Sequence, residues 1–350
     1  MHYDGITFRP PYEMYSLLLQ VTRGCSHNAC TFCTMYTNEP FCVSPVEEIV
    51  EDLAEAAVSL PHTRRVFLVN GDAFCLPADA LLNIAEMVHE ALPLVESIGC
   101  YARVTNIAHK TDDELAALAA AGYSNINIGV ESALDDVLTF MNKGYTAEEA
   151  RRQLARLHAA GLPFNLNIIN AAAGPAHIAE HAAANAALVN EVAPTLVFVS
   201  PLHVDPGSHL EQLVADGTFE ECTLGQYLEE EIAFLEGLEV EGCVFYGSHV
   251  SNPIPVGGML PRDKEEMLAE LCEGLASMPP EARDSHPSKG MEGALRWEDV
   301  TRTDARDPTP PGSTSRHRAR NGAARARAGA APCARASRPP RVTSRRRRRE

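Results

Sequence analysis

Two kinds of apolar stretch alternate along the first two hundred residues of this chain. Short continuous runs are typical of β-strands covered on both faces, and the longer stretches between them have helical periodicity. Strict alternation of strands and helices indicates parallel strands that are joined by crossover helices. The pattern predicts six strands, at residues 16–21, 65–69, 97–103, 125–130, 164–169 and 195–199.

The helices between these strands carry recognisable start and stop signals. Ser44, Thr111 and Thr146 are each followed three residues later by a glutamate, which is the signature of a capping box. Two of these helices are expected to stop at Gly122 and Gly161, since glycine readily adopts the left-handed conformation that ends a helix. Helices are predicted at residues 44–59, 78–92, 111–122, 146–161, 176–192, 226–238 and 263–275.

Three segments of different character follow one another along the chain. Residues 1–205 hold the alternating pattern, and the 45 % hydrophobic content allows a substantial core. Residues 206–278 form a C-terminal extension with two acidic-faced helices and a polar loop at 247–253. Residues 279–350 are rich in Pro, Gly, Ser, Ala and Arg and lose apolar periodicity, so we predict a disordered basic tail.

Charge is distributed unevenly between these segments. Of 30 basic and 47 acidic residues, 15 arginines and 3 acidic residues lie at 301–350, which leaves 15 basic and 44 acidic residues before them. The acidic body disfavours nonspecific binding of nucleic acid or of an anionic membrane. No apolar run approaches the ~20 residues of a spanning helix, and the start does not resemble a signal peptide. We therefore expect a soluble cytoplasmic protein. For the arginine-rich tail, RNA binding and a frameshifted end both stay open.

Cys25, Cys30 and Cys33 lie within nine residues, directly after the first predicted strand and the break at Gly24. Without a secretion signal, this density indicates metal ligands rather than disulfides. Thiolates suit an iron–sulfur cluster or zinc. Three of them can hold three irons of a cubane and leave the fourth iron open. A closed Cys3His zinc site with His27, in a non-catalytic binding module, is the alternative.

The residues around these cysteines resemble the radical S-adenosylmethionine (SAM) superfamily. Gly24-Cys25 follows the strand, and Phe32 directly precedes Cys33. Together with the Arg9-Pro-Pro segment, they are similar to a bacterial branch related to the Elongator catalytic subunit, methylthiotransferases and oxygen-independent coproporphyrinogen oxidase. The likeness extends over about 9–275. One departure is that four residues, rather than the usual three, separate Cys25 from Cys30.

This resemblance implies a fold and a chemistry. The fold would be a partial (βα)6 TIM-type barrel, and the three cysteines would hold a [4Fe–4S] cluster. An electron from a ferredoxin- or flavodoxin-type partner would cleave SAM to a 5′-deoxyadenosyl radical that abstracts hydrogen from an unknown substrate. A plain electron carrier is disfavoured, because three ligands leave the cluster incomplete.

The resemblance also implies SAM contacts at the ends of strands, where α/β folds carry their sites. An acidic turn would receive the SAM ammonium group, and an arginine would pair with its carboxylate. The glutamate and serine that end the fourth strand would hold the ribose hydroxyls or the methionine carboxylate. From the residues alone, a loop turn, a salt bridge and a helix cap are the alternatives. An alanine-rich run at 171–173 predicts an altered adenine pocket, and His249 either closes the cavity or belongs to a structural loop. The predicted cofactor-binding residues are Asn70, Gly71, Asp72, Arg103, Glu131, Ser132 and Asn170.

Overall fold

Residues 1–287 are the part of the chain that this computed structural model describes, and an eight-stranded sheet lies at their centre. The strands in chain order are β1 (Leu17–Leu19), β2 (Thr22–Arg23), β3 (Cys42–Val43), β4 (Arg65–Leu68), β5 (Ser97–Ala102), β6 (Ile126–Glu131), β7 (Phe164–Asn170), β8 (Leu196–Pro201), β9 (Val244–Gly247) and β10 (Val256–Met259). The order in the sheet is β1-β4-β5-β6-β7-β8-β9-β10, with β1 and β10 at its open edges. Every pair in it is parallel except β9 with β10.

Helices connect the parallel strands of this sheet. They are α1 (Val46–Ser59), α2 (Ala78–Ala91), α3 (Val104–Ala108), α4 (Asp112–Ala120), α5 (Asp135–Phe140), α6 (Ala147–Ala159), α7 (Ile178–Val192), α8 (His209–Ala215), α9 (Leu224–Gly237), α10 (Lys264–Ser277) and α11 (Pro280–Arg283), with 3₁₀ helices at Pro11–Glu13 and Ala73–Cys75. No helix within residues 1–287 combines the length and the apolar composition needed to cross a membrane.

The predicted architecture is confirmed as a mostly parallel, open sheet of the partial-barrel type. Each of the six predicted strands is present, as β1 and β4 to β8. The hairpin β9–β10 was not predicted, because its second strand contains Gly257 and Gly258 and a polar loop separates the two strands. It extends the barrel by one parallel strand and one antiparallel edge strand.

The predicted helix caps are confirmed at two positions and wrong at the third. Thr111 Oγ1 accepts a hydrogen bond from the Glu114 N–H at 3.2 Å, and Thr146 caps α6 in the same way. Ser44 caps nothing, and α1 begins at Val46. The reason is that the Ser44 N–H donates to the Val21 carbonyl at 3.0 Å, which makes Ser44 an extension of the β2–β3 ribbon.

A short helix lies within the first residues of the predicted tail. The helix α11 and residues up to 287 continue beyond residue 279, where we expected disorder to begin. Residues 288–350, which include the arginine-rich end, lie outside the described residues.

The two faces of the sheet differ in character. On β7, Phe164, Leu166 and Ile168 are buried in a core shared with the helices. The alternate residues Asn165 and Asn167 point to the opposite face, which is the inner face of the partial barrel. Amides in the middle of a strand that is covered on both sides indicate a polar interior.

An N-terminal segment closes the end of the barrel at which the strands begin. The buried Glu13 carboxylate accepts hydrogen bonds from Arg65 Nε at 2.8 and 3.1 Å, and Arg65 Nη1 donates to Ser97 Oγ at 2.9 Å. Arg65 and Ser97 are the first residues of β4 and β5. The opposite end of the barrel, where the parallel strands finish, holds the cavity described next.

Candidate functional site

A cavity of about 230 Å³ lies at the carboxyl ends of β4 to β7, beneath the cysteine loop. It brings the three predicted metal ligands together with three of the predicted SAM contacts. Its lining residues are Cys25, Cys30, Phe32, Cys33, Met35, Tyr36, Gly71, Tyr101, Ala102, Arg103, Gly129, Glu131, Lys143 and Asn167.

The cysteine loop is held in place by the segment that follows α5. The Thr31 N–H donates to the Met141 carbonyl at 3.2 Å, and Thr31 Oγ1 donates to the Phe140 carbonyl at 2.6 Å. Asn142 Nδ2 donates to the Ala29 carbonyl at 2.7 Å. Backbone and side-chain bonds therefore fix the loop from outside, and leave its thiols free to face the cavity.

The thiols themselves are partly buried. Burial raises the pKa of Cys25, with the Asp72 carboxylate adding to it, and burial raises the pKa of Cys33 to about 11. Both thiols are therefore protonated at neutral pH when no metal is bound. A bound cation reverses this preference, because thiolates bind metals and release their protons on doing so.

The arrangement of these donors fits a cluster better than a single zinc ion. Within residues 1–287, no three His, Cys, Asp or Glu side chains converge closely enough to share one metal ion. In a cubane each thiolate binds a different iron, so the three sulfurs need not converge on one point. His27 Nε2 donates to the Asn142 carbonyl at 2.7 Å, which leaves Nδ1 as the ring nitrogen that a zinc site would have to use.

The turn after β4 packs tightly against the cysteine loop. A Cβ on Gly71 would lie 1.8 Å from the Gly24 carbonyl oxygen and 2.8 Å from Cys25 Cα. The Gly71 N–H donates to Tyr36 Oη at 2.8 Å. Glycine at this position thus permits the close approach of two backbone segments, in addition to any contact that it makes in the cavity.

The other two residues of this turn point away from the cavity. Asp72 accepts hydrogen bonds from the Ser26 N–H at 2.9 Å and from Ser26 Oγ at 2.5 Å. Asn70, with a φ of 70°, accepts from the Phe8 N–H at 3.1 Å. Both side chains therefore hold neighbouring loops, and only Gly71 lines the cavity.

A buried ion pair occupies the end of β6. Lys143 Nζ lies 3.1 Å from Glu131 Oε1, and both side chains are buried. Glu131 has a φ of 70°, and the register of β6 against β7 shifts between Gly129 and Glu131. A Cβ on Gly129 would lie 2.4 Å from Glu131 Oε1, so glycine there makes room for the carboxylate. Burial opposes the charge of Lys143, but the Glu131 carboxylate prevails and raises its pKa above the usual value.

Arg103 adds a second cation to the same side of the cavity. Its Nη2 donates to the Lys143 carbonyl at 2.6 Å, and its Nη1 donates to Thr105 Oγ1 at 3.1 Å. Its Nε is buried and has no hydrogen-bond partner among the described residues. Arg103 lines the cavity, and a guanidinium group at a cavity wall is a suitable partner for a carboxylate.

Two predicted residues lie outside the cavity. Ser132 Oγ is 2.8 Å from His181 Nε2, and His181 Nδ1 is 2.8 Å from Glu230 Oε1, all fully buried. Asn170 is also fully buried, and its amide makes no hydrogen bond within the described part of the chain. The structure thus places Ser132 and Asn170 behind the strand ends, away from the cysteine loop.

Sequence reasoning missed several lining residues. Lys143 lies in the loop after α5 and follows no strand, so nothing in the pattern marked it. Asn167 carried a usable signal, because Asn165 and Asn167 alternate with Leu166 and Ile168 on a strand that we expected to be covered on both faces. Polar residues at alternate positions of such a strand indicate that the space on that side of the sheet is not filled by apolar side chains.

Residues 19–176 match the family model of the radical SAM superfamily. The chain therefore carries a radical SAM domain over these residues, and the resemblance seen in the cysteine loop is confirmed. None of the curated proteins is similar enough to this chain to count as a match.

Several solved structures are similar to this chain at low identity. Elp3 from the archaeon Methanocaldococcus infernus is 12 % identical with a TM-score of 0.48, covering 75 % of this chain and 64 % of that one. The methyltransferase TsrM from Kitasatospora setae is 17 % identical with a TM-score of 0.46, covering 58 % and 39 %. Coproporphyrinogen III oxidase HemN from Escherichia coli is 18 % identical with a TM-score of 0.45, covering 63 % and 52 %. The chain thus spans well under half the length of TsrM.

Proposed function

We propose that this protein is a radical SAM enzyme in which Cys25, Cys30 and Cys33 hold a [4Fe–4S] cluster. The observation that carries the proposal is that these three thiols share one cavity with Arg103 and the Glu131–Lys143 pair. A soft-metal site and a charged site that fits an amino acid thus lie side by side at the carboxyl ends of parallel strands.

When bound, the cluster and SAM together supply a 5′-deoxyadenosyl radical, by one-electron cleavage of SAM, for hydrogen abstraction from a substrate. The role of the protein is to bind and orient SAM and the substrate and to exclude water. The Arg103 guanidinium, which lines the cavity, is proposed to bind the SAM carboxylate. Glu131 is proposed to accept hydrogen bonds from the ammonium or ribose hydroxyl groups of SAM.

The remaining predicted SAM residues are proposed to act on the shape of the site. Gly71 lines the cavity and is proposed to contact SAM through its backbone. Asp72 fixes Ser26, next to the first cysteine, by two hydrogen bonds. Ser132 is bonded to His181 directly behind Glu131, and Asn70 holds the N-terminal segment at Phe8. Asn170 ends β7 in the core, and no contact explains its role.

The electron would come from a ferredoxin- or flavodoxin-type donor, and the cytoplasm would be the matching compartment.

Metal analysis after anaerobic purification tests the proposal. We expect about four irons per chain, as a cubane requires, and an EPR signal of the dithionite-reduced protein that shifts on addition of SAM. Cys30→Ser should lose the signal. Cys42→Ser, at an exposed position on β3, is the matched control and should keep it. One zinc per chain, with no iron uptake on reconstitution, would refute the proposal in favour of a structural zinc site.

A further inference from the structure

The inner face of β7 to β9 is partly exposed. Asn167, Phe198 and Tyr246 are each partly exposed, although they lie in the middle of the sheet. Their neighbours along the strands, such as Val197 and Phe245, are fully buried against the helices. Exposure thus alternates with the strand period, which shows that one face of these strands borders open space.

These three side chains form one row across neighbouring strands. Asn167 pairs with Phe198 in the β7–β8 register, and Phe198 pairs with Tyr246 in the β8–β9 register. The row ends at Gly129 on one side and at Gly257 on the other. Asn167 also lines the cysteine cavity, so the row begins at that cavity and continues across the sheet from it.

Aromatic rings build a wall and a floor along this row. Phe198 and Tyr246 are stacked, with centroids 5.7 Å apart and planes at 16°. Tyr12 meets both rings edge-on, at 6.5 and 5.4 Å. Its hydroxyl is hydrogen-bonded to Asn127, which fixes Tyr12 as the floor.

Histidines stand near the open rim. The His249 ring lies edge-on to Phe198 at 5.6 Å, and its Nδ1 is 2.6 Å from Ser251 Oγ. Burial lowers the pKa of His249, with His203 nearby adding to it, and burial also lowers the pKa of His203. Both imidazoles are therefore neutral at pH 7. The loop that carries His249 thus contacts the row at Phe198, and Tyr12 contacts the same ring from another side.

The Asn167 amide is a free hydrogen-bonding group of this row. It makes no hydrogen bond to another residue of the described part of the chain, unlike Asn165, which donates to Asn127 at 3.1 Å. An amide supplies a donor and an acceptor together. No charged side chain belongs to the row, whereas Arg103, Glu131 and Lys143 cluster at the other side of the cavity.

We propose that the Asn167–Phe198–Tyr246 row binds the substrate and selects a planar, uncharged ring that carries a hydrogen-bonding group. Aromatic faces favour a flat ring, and a charged ligand would lose its hydration here without gaining a partner. A ligand without a polar group would leave the Asn167 amide unpaired, which costs affinity. This inference rests on the proposed function, in which the charged side of the cavity is taken by SAM.

Three small probes test separately the preference for a flat ring and the preference for an uncharged ligand. Nicotinamide is flat, neutral and carries an amide, nicotinate is flat but charged, and cyclohexanecarboxamide keeps the amide without the flat ring. Saturation-transfer NMR titrations with the full chain would measure their dissociation constants. We expect nicotinamide to bind with saturation and roughly tenfold more tightly than either analogue, the equivalent of about 1.4 kcal/mol.

Substitutions test whether nicotinamide binds to the residues of this row. Phe198→Leu and Asn167→Leu should each weaken nicotinamide binding by roughly tenfold. Phe198→Tyr keeps the aromatic wall, and Tyr15→Leu removes an exposed ring elsewhere, so both should bind as the wild type does. Thermal unfolding of each variant verifies its folding, and Phe198→Tyr keeps the comparison valid if Phe198→Leu does not fold.

Equal affinity for the three probes would overturn the inference, and so would absence of saturable nicotinamide binding or insensitivity to both leucine variants. The iron content and EPR signal of the same samples report separately on the proposed function. Selective nicotinamide binding by a protein that takes up no iron would refute the proposed enzyme and leave only a ring-binding site. A normal EPR response without selectivity would refute this inference alone.

Discussion

The Lys143 ammonium lies 3.1 Å from the Glu131 carboxylate in the wall of the cysteine cavity, with both side chains buried. The backbone is irregular at both positions. Glu131 is left-handed at a bulged strand end, and Lys143 follows α5 in a loop. A strained backbone and a buried charge pair at one point both cost stability, which is typical of functional sites.

Replacing the cation of this pair should destabilise the protein strongly. Lys143→Met leaves the Glu131 carboxylate buried without its partner, so we expect the free energy of unfolding to fall by about 3 to 5 kcal/mol. Urea unfolding followed by circular dichroism measures the change. Arg152→Met breaks an exposed pair with Glu149 and should cost at most about 1 kcal/mol. Similar losses in the two variants would show that the buried pair has no special role.

Enlarging Gly71 should disturb the cysteine loop. In Gly71→Ala the new methyl group would overlap the Gly24 carbonyl, so one backbone segment has to move and Cys25 moves with it. We expect iron incorporation on anaerobic reconstitution to fall by roughly tenfold or more, because misplaced ligands weaken metal sites.

The control for this change is Gly161→Ala. Gly161 also has a positive φ, of 66°, but nothing lies within 4 Å of its added Cβ. This variant should lose about 1 kcal/mol of stability through strain and keep its iron. Normal iron content in Gly71→Ala would contradict the steric role assigned to that glycine.

Removing His27 distinguishes an iron–sulfur cluster from a Cys3His zinc site. Its Nε2 is occupied by the Asn142 carbonyl, so His27→Ala should lose one hydrogen bond and keep the iron content and the EPR signal. A Cys3His zinc site would instead lose most of its metal. Metal analysis of His27→Ala beside Cys30→Ser decides the matter, because the proposed cluster requires the cysteine and not the histidine.

Local signals in the sequence were sufficient for much of this fold. The Thr111 cap depends on residues three positions apart, and the apolar runs of β4 to β8 need only burial on both faces, so both were predictable. Ser44 has an equally good local signal, yet its N–H is taken by Val21 in a ribbon. Tertiary pairing overrides a cap in that case, and no local pattern reports it.

In the candidate site, too, some features were predictable from local sequence and others depend on tertiary contacts. The cysteines were predictable because their spacing is local, and Arg103 and Glu131 because strand ends converge in parallel sheets. Lys143 reaches the cavity through a loop, and Asp72 turns from it to bond Ser26. The direction of a side chain in a loop depends on contacts that are distant in sequence, so strand-end position alone does not reveal the bonds between Asp72 and Ser26.

A second buried carboxylate provides a test that is independent of metal. Glu231 on α9 is fully buried, and neither of its oxygens has a hydrogen-bond partner within normal distance in the described part of the chain. Burial raises the pKa of Glu231 to about 8, an effect that its polar neighbours Tyr227 and Asn252 only partly offset. The folded protein therefore keeps Glu231 protonated at pH 7.

The sign of the pH dependence follows from this raised pKa. Between pH 4.5 and about 8 the unfolded chain has released the proton and the folded chain has not, so stability falls as the pH rises. Glu231→Gln removes the proton exchange and should be more stable than the wild type at pH 8, by on the order of 4 kcal/mol, and about equal to it at pH 4.5.

Urea unfolding at pH 5, 6, 7 and 8 measures this difference directly. Glu229→Gln on the same helix is the matched control, because Glu229 is exposed and pairs with Arg283 at the surface. That change should shift stability by at most about 1 kcal/mol at every pH. The difference between wild type and Glu231→Gln should widen steadily with pH, since each unit of separation between the two pKa values is worth about 1.4 kcal/mol. A constant difference across the series would mean that Glu231 is ionised in the folded protein, with a cation or a water cluster beside it.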